Sequence, residues 1–444
     1  MRWCLICLLC AAALVVSACA GGGGQRAGAG PSLLPTPCGT LDGRGCAPAA
    51  RRVDLARPSF SHSTSITNPL FPIGRLRSAV LLGHVDGKPF RTETTLLPGM
   101  RTVTWQGERV RVLVSQYMAY LDGRLEEVAL DRYAQADDGS VWYLGEDVFD
   151  YRKGAIALTE GTWLAGREGP AAMIMPAKPK VGDVYRTENA PGVVFEEVTV
   201  RSVSAKVQGP RGPVEGAMIA SELHSDGTRE DKVFAPGYGE FRTAGGGDLE
   251  ALALAVPTDT REGSMPAELR SLAAGTEGVL ELARLEQWDS AAGSVARMKA
   301  AWARLRDGNQ PVRISKRLSG SLAALARSLR AHAAPRVAQR AIDVAQSVLD
   351  LQLQYRSPVE IDAARFHLWT QQLRVDAAAG DLAGVTGDVA VLEWIGGRIA
   401  GSLGRTREEI DDRLAALRAA TDAKNLPAAA DQAARLGARI RALV

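Results

Sequence analysis

Two patterns of apolar spacing divide the chain. From about residue 59 to 256 the alternation is period two, the signature of strands that bury one face. Val110 to Tyr120, Leu125 to Ala134 and Ser140 to Leu144 read as successive antiparallel strands. Further strands are predicted at Ala155 to Thr159, Val193 to Val203, Gly216 to His224 and Thr228 to Phe234. Asp86-Gly87, Asp122-Gly123, Asp138-Gly139 and Asp226-Gly227 punctuate the region. Asp-Gly readily takes the positive φ angles of tight hairpins. About ten strands joined mostly by hairpins imply an antiparallel meander that curls into a curved sheet, half-barrel or sandwich.

After Pro257 the spacing changes to three and four. Trp288, Ala292, Val295, Met298, Trp302 and Leu305 form one helical stripe, and Leu322, Leu325, Leu329, Ile342, Val344, Val348 and Leu351 continue it. Prolines 266, 311, 335, 358 and 427 fall at helix starts or breaks. Six to eight helices are expected over 265–444. Leu285 to Asp289, Ala379 to Ala383 and Ala423 to Pro427 share one character: a short polar kink, an apolar residue, then an alanine-rich helix. Such kinks suit antiparallel helical hairpins. Their unequal spacing favours an irregular all-α bundle over a regular solenoid. The fold class is therefore multidomain, β then α.

The first 58 residues belong to neither pattern. Arg2 precedes an apolar run from Leu5 to Val16, the length of a signal segment and too short to span a bilayer. Val16-Ser17-Ala18-Cys19 follows and resembles the bacterial lipobox. That resemblance implies acylation of Cys19 and removal of residues 1–18. Two acyl chains at about 0.8 kcal/mol per buried CH₂ give durable anchoring. The expected partner is a membrane, reached through the lipid, and the location extracytoplasmic. Ala20 favours the outer membrane if the cell has two. Residues 19–58 read as a disordered tether rich in Gly, Ala, Pro and Arg. Within it, Cys38 and Cys46 are candidates for a local disulfide in an oxidising compartment.

Composition narrows the chemistry. All six cysteines lie at or before Cys46, so the later regions hold no thiol nucleophile. A net charge of +3 from 53 basic and 50 acidic residues gives no reason to expect a nucleic-acid partner. No serine sits in a Gly-x-Ser-x-Gly elbow. His84 and His224 lie near Asp-Gly turns, and His332 and His367 are isolated on helices, His367 beside Trp369. None has metal-ligand spacing, so no metal or cofactor is expected. No catalytic residue is assigned. Glu146, Asp147 and Glu160 are considered as converging carboxylates for acid–base work, as in an envelope glycan hydrolase. The simpler reading makes them solvated turn residues. Trp142, Tyr143 and Trp163 are a candidate aromatic platform for a sugar or lipid.

One further resemblance rests on an ordered series of motifs. Asn68-Pro69-Leu70-Phe71-Pro72 opens it, followed by Trp142-Tyr143-Leu144-Gly145-Glu146-Asp147, Glu160-Gly161-Thr162-Trp163, Ile174-Met175-Pro176-Ala177 and Ala235-Pro236-Gly237-Tyr238-Gly239. The series resembles a widespread family of exported bacterial proteins with an all-β domain and no established activity, over about residues 60–242. The resemblance implies no catalytic residue and no ligand. Arg75 to Leu82 lacks the aromatic strand usual there. The expectation is a tethered, non-enzymatic binding or scaffold protein of the cell envelope, taking another protein, a polymer or an apolar ligand. A metal or solute receptor using the helical bundle is the alternative.

Overall fold

The computed structural model describes residues 46–442. Fourteen strands run from Ser78 to Val256: β1 (Ser78–Val85), β2 (Lys88–Trp105), β3 (Glu108–Leu121), β4 (Arg124–Gln135), β5 (Val141–Arg152), β6 (Ala155–Leu158), β7 (Trp163–Leu164), β8 (Ala172–Met175), β9 (Val184–Ala190), β10 (Val194–Gln208), β11 (Pro213–His224), β12 (Arg229–Ala235), β13 (Gly239–Gly245) and β14 (Asp248–Val256). They form one antiparallel sheet in the order β6-β5-β4-β3-β2-β1-β14-β13-β12-β11-β10-β9, with β7 and β8 also pairing along β5. The β1–β14 ladder joins the two halves of the meander. The sheet curls until β9 lies beside β8, but it does not close into a barrel.

Its hairpins follow from local backbone preference. Asp86-Gly87 and Asp122-Gly123 hold both residues at positive φ, the geometry that matches strand twist. Gln106-Gly107 and Lys153-Gly154 make the same turn without aspartate.

Eight helices follow: α1 (Ala267–Arg284), α2 (Trp288–Arg306), α3 (Val312–Arg330), α4 (Ala334–Gln352), α5 (Pro358–Ala378), α6 (Leu382–Ile399), α7 (Arg407–Asp422) and α8 (Leu426–Arg441). Consecutive helices pair as four hairpins, each turning through one left-handed residue: Glu286, His332, Gly380 and Lys424. Three of these are the kinks expected from sequence. Asp381 and Asn425 then cap α6 and α8 by accepting from backbone N–H groups.

The bundle covers the outer face of the sheet from β14 through β5. On β1, Ala79 and Leu81 point inward, whereas Val80 and Leu82 pack under the helices. Tyr120 stacks on Trp369, and Trp394 donates to the Tyr151 hydroxyl at 2.8 Å. At the seam lies a buried ionic network of three arginines and three carboxylates. Arg91 and Glu93 of β2 meet Asp350 of α4, Asp362 and Arg365 of α5, and Arg398 of α6. Its contacts run from 2.6 to 3.5 Å.

The segment before β1 corrects one expectation. Residues 46–58, which composition assigns to the tether, run against the sheet. The Val53 N–H donates to the Val184 carbonyl, and the Ala47 N–H to Glu197. Asn68 then reaches the carbonyls of Gly139 and Pro176. Backbone pairing holds a stretch whose side chains alone would not order it. Cys19 and Cys38 lie outside the described residues. Cys46 packs against Phe195 and Leu223.

Candidate functional site

Alternation places every second residue of each strand inside the curl. There the chain puts carboxylates. Four pairs are directly opposed across adjacent strands: Glu127 with Asp150, Asp131 with Glu146, Glu188 with Glu196, and Glu222 with Glu230. Like charges in that register are destabilising, so packing alone does not account for them. Glu127, Asp150, Glu188, Glu196 and Glu230 border a cavity of about 1280 Å³ that opens among the hairpin turns and the start of α6, and Asp131 and Glu146 line a smaller one beside it. Thirteen Asp and Glu side chains line the larger cavity, against four Arg and Lys. A deeper lobe of about 140 Å³ shares Tyr117, Glu127, Glu188, Glu196 and Glu250 with the main cavity. Phe71, Ile73, Leu76, Tyr133, Tyr143 and Tyr238 also line that lobe.

The two sides of the chamber differ. On the β9–β13 side the protein supplies its own cations. Lys232 Nζ lies 3.1 Å from Glu222 and 3.5 Å from Glu240. His224 lies 3.4 Å from Glu196 and 3.7 Å from Glu230. Burial alone would lower the imidazole, but its bonds to Glu196 and Glu230 push it up to about 10, so it stays charged. Burial alone would raise Glu196, yet His224 and Lys232 hold it at about 2. One donor atom each from Glu196, Glu222 and His224 lie within 4.8 Å of one another. That triad has the composition of a cation site, and His224 and Lys232 already fill the electrostatic role.

On the β4–β5 side Arg124, Arg152 and Lys153 line the cavity without forming ion pairs to its buried carboxylates. Among the described residues, Glu127, Asp131 and Asp150 make no ion pair. Asp150 is 5 % exposed, and one of its oxygens has no hydrogen-bond partner. Burial, then Glu126 and Glu160, push it up to about 7 against the opposing charge of Arg152. Burial and the neighbouring Asp150 raise Glu127 well above the usual carboxylate range. Asp131 accepts from Tyr143 at 2.8 Å and Ser115 at 3.0 Å, and burial still lifts it to about 6. Glu146 hydrogen-bonds with Glu188, and burial raises both, Glu146 to about 7. The wall gains negative charge as pH rises through neutrality.

The residues singled out from sequence fare unevenly. Glu146, Asp147 and Glu160 do not converge. Glu146 faces the deep lobe, Asp147 pairs with Arg132 elsewhere, and Glu160 stands at the outer cavity. Strand alternation forces this split, since neighbours on β5 point to opposite faces. Trp142, Tyr143 and Trp163 form no open platform. Trp142 is buried and donates to Ser140, and Trp163 is fully buried against Tyr143. Only Tyr143 reaches the chamber, stacked on Tyr133. His332 stacks on Trp288, and His367 Nδ1 lies 3.1 Å from the Gly437 carbonyl.

Sequence reading missed Glu127, Asp131, Asp150, Glu188, Glu196, Glu222 and Glu250. Their signal was available: carboxylates recurring at interior positions of strands, where acidic residues are depleted. No family model, curated protein or solved structure matches this chain.

Proposed function

We propose that this protein is a lipid-anchored extracytoplasmic binding protein whose chamber captures a small organic cation. The carrying observation is Asp150, a buried carboxylate with a partnerless oxygen on the wall of a large acidic cavity. Leaving such a group without a partner costs free energy that a cationic ligand would recover. The cavity is slightly larger than the roughly 300–1,000 Å³ of ordinary small-molecule sites and far larger than one metal ion requires. The resident Lys232 supplies an internal precedent, an ammonium group held between two carboxylates. An acyl chain placed there would strip water from carboxylates without pairing them, which disfavours an apolar ligand.

Anchoring rests on Val16-Ser17-Ala18-Cys19. No helix among the described residues is long and apolar enough to cross a membrane. The helical bundle serves this reading as the brace of the outer sheet face rather than as the receptor.

A thermal-shift screen at pH 8 tests the proposal, comparing amines with neutral sugars, fatty acids and divalent metals. Amines should raise the melting temperature, with stabilisation near 2.7 kcal/mol at 100 times Kd. The shift should vanish in a Glu127→Gln, Asp150→Asn double variant. Stabilisation by sugars or fatty acids with no response to any amine would reject it.

A further inference from the structure

Charge is spread unevenly along the helical bundle. The whole chain has 53 basic and 50 acidic residues, yet residues 290–342 hold eleven Lys and Arg and a single acid, Asp307. Helix α3 lies at the centre of this stretch, with five cations and no acid. Ile314, Leu318, Leu322, Leu325 and Leu329 bury its inner face. The helical repeat then turns Val312, Lys316, Ser319, Ala323, Arg327 and Arg330 onto one exposed stripe about 27 Å long. Among the described residues, none of the five α3 cations makes an ion pair. Acids on neighbouring segments already hold other arginines: Glu268 holds Arg304, Asp307 holds Arg306, and Asp343 holds Arg340. Arg317 turns toward the seam, where Asp350 and Asp343 act on it, and Arg242 of β13 repels Arg313. Lys316, Arg327 and Arg330 are left as the free cations of the stripe. Val312, at its start, is a large apolar side chain left 56 % exposed.

We propose that the exposed face of α3 docks on an anionic phospholipid bilayer, with Lys316, Arg327 and Arg330 against headgroup phosphates and Val312 set into the interface. This rests on the reading of the protein as lipid-anchored and adds which face meets the membrane. From Cys19 to Cys46 the chain can reach at most about 95 Å, enough for this face to lie on the bilayer that holds the lipid. Ser319, Gly320 and Ala323 keep the middle of the stripe low, so the cations at both ends reach one plane. Each Lys or Arg close to an anionic surface strengthens binding about fivefold, an effect confined to about a Debye length. A basic face of this kind is the second signal that makes lipid anchoring durable. A nucleic acid is the other large polyanion, but α3 has no aromatic side chain on which a base could stack.

Vesicle sedimentation tests this surface, using the chain from residue 19 onward with Cys19→Ser, which carries no lipid. Vesicles of phosphatidylcholine with about 30 % phosphatidylglycerol are compared with pure phosphatidylcholine at about 0.1 M salt. Binding should be at least about tenfold stronger to the anionic vesicles and should weaken as salt rises. The triple variant Lys316→Gln, Arg327→Gln, Arg330→Gln should lose that preference. The triple variant Arg101→Gln, Arg109→Gln, Arg111→Gln removes the same charge from exposed positions of the β2–β3 hairpin and should keep it. Circular dichroism of each variant establishes that it folds. Equal binding to the two vesicles, or equal loss in the two triple variants, would overturn the proposal. Binding through α3 to a DNA duplex but not to anionic vesicles would overturn it as well. Mass spectrometry of the N-terminus reads the anchor separately. An acylated Cys19 without vesicle preference keeps the anchor and rejects the surface. An unmodified N-terminus with α3-dependent vesicle binding rejects the anchor and supports the surface.

Discussion

Asp150 shows how one side chain links stability to binding. Its folded-state pKa, near 7, lies above the roughly 3.9 of an unfolded aspartate. The folded protein therefore holds the proton more tightly, and stability falls as pH rises from about 4 to about 7. Asp150→Asn removes that penalty. Denaturant unfolding should find the variant more stable than the parent at pH 8, by about 1 kcal/mol. The gain should disappear below pH 4, and a variant less stable at pH 8 would contradict the burial of an unmatched charge. At this scale the sequence was only partly legible. Glu146 was identified, yet Asp147 and Glu160 were grouped with it, because proximity along the chain says nothing about which face a side chain takes. Trp142 and Trp163 proved to be core for the same reason: an aromatic in a strand can serve either face.

Among elements, legibility followed the number of faces left to solvent. β3, β4, β6, β11 and β12 lay close to their predicted positions, whereas β5 and β10 start where expected but run on to Arg152 and Gln208. β1 and β14 were missed because helices cover their outer faces while their inner faces are buried in the curl, so Ser78 to Leu82 and Glu250 to Val256 are buried on both faces and lose alternation. β2 was missed for another reason. Arg91, Glu93 and Thr95 point to the outer face, and Thr92 and Thr94 face the chamber, so its middle reads as polar throughout. The helical hairpins were easier, since each turn needs one left-handed residue between two apolar stripes. Glu93 carries the docking of sheet to bundle, with contacts to three arginines. Glu93→Gln leaves those guanidiniums with too little negative charge in a buried setting. Chemical denaturation should show a loss of about 3–5 kcal/mol. A loss under 1 kcal/mol would mean that apolar packing alone holds the bundle. Gly154 tests the contact of the β5–β6 turn with α6. A Cβ there would lie 2.2 Å from the Ala383 carbonyl oxygen, at a φ of +80°. Gly154→Ala should destabilise by at least about 1 kcal/mol.

For the whole molecule, the division into a β half and an α half was readable because the period of apolar spacing changes once, near Pro257. The chamber was not readable, because it depends on the curl that brings β9 around beside β8 and turns separate strands toward one another. Curvature also explains how so many carboxylates share one interior. Strands β4, β5 and β9 to β14 contribute one or two each, and the sheet gathers them while the bundle braces its back. The charge of that interior changes between pH 6 and 8, through groups near 6, 7 and 8 on β4, β5, β11 and β14. An alkylammonium keeps its charge across this range. Cation affinity should therefore rise with pH over that interval, and the bound ligand should be released on acidification. Calorimetry of an alkylamine at pH 7, run in two buffers of different ionisation enthalpy, reads this linkage directly. The cation chamber predicts net proton release on binding, abolished by Glu127→Gln with Asp150→Asn. Binding with no proton exchange, or with proton uptake, would contradict it.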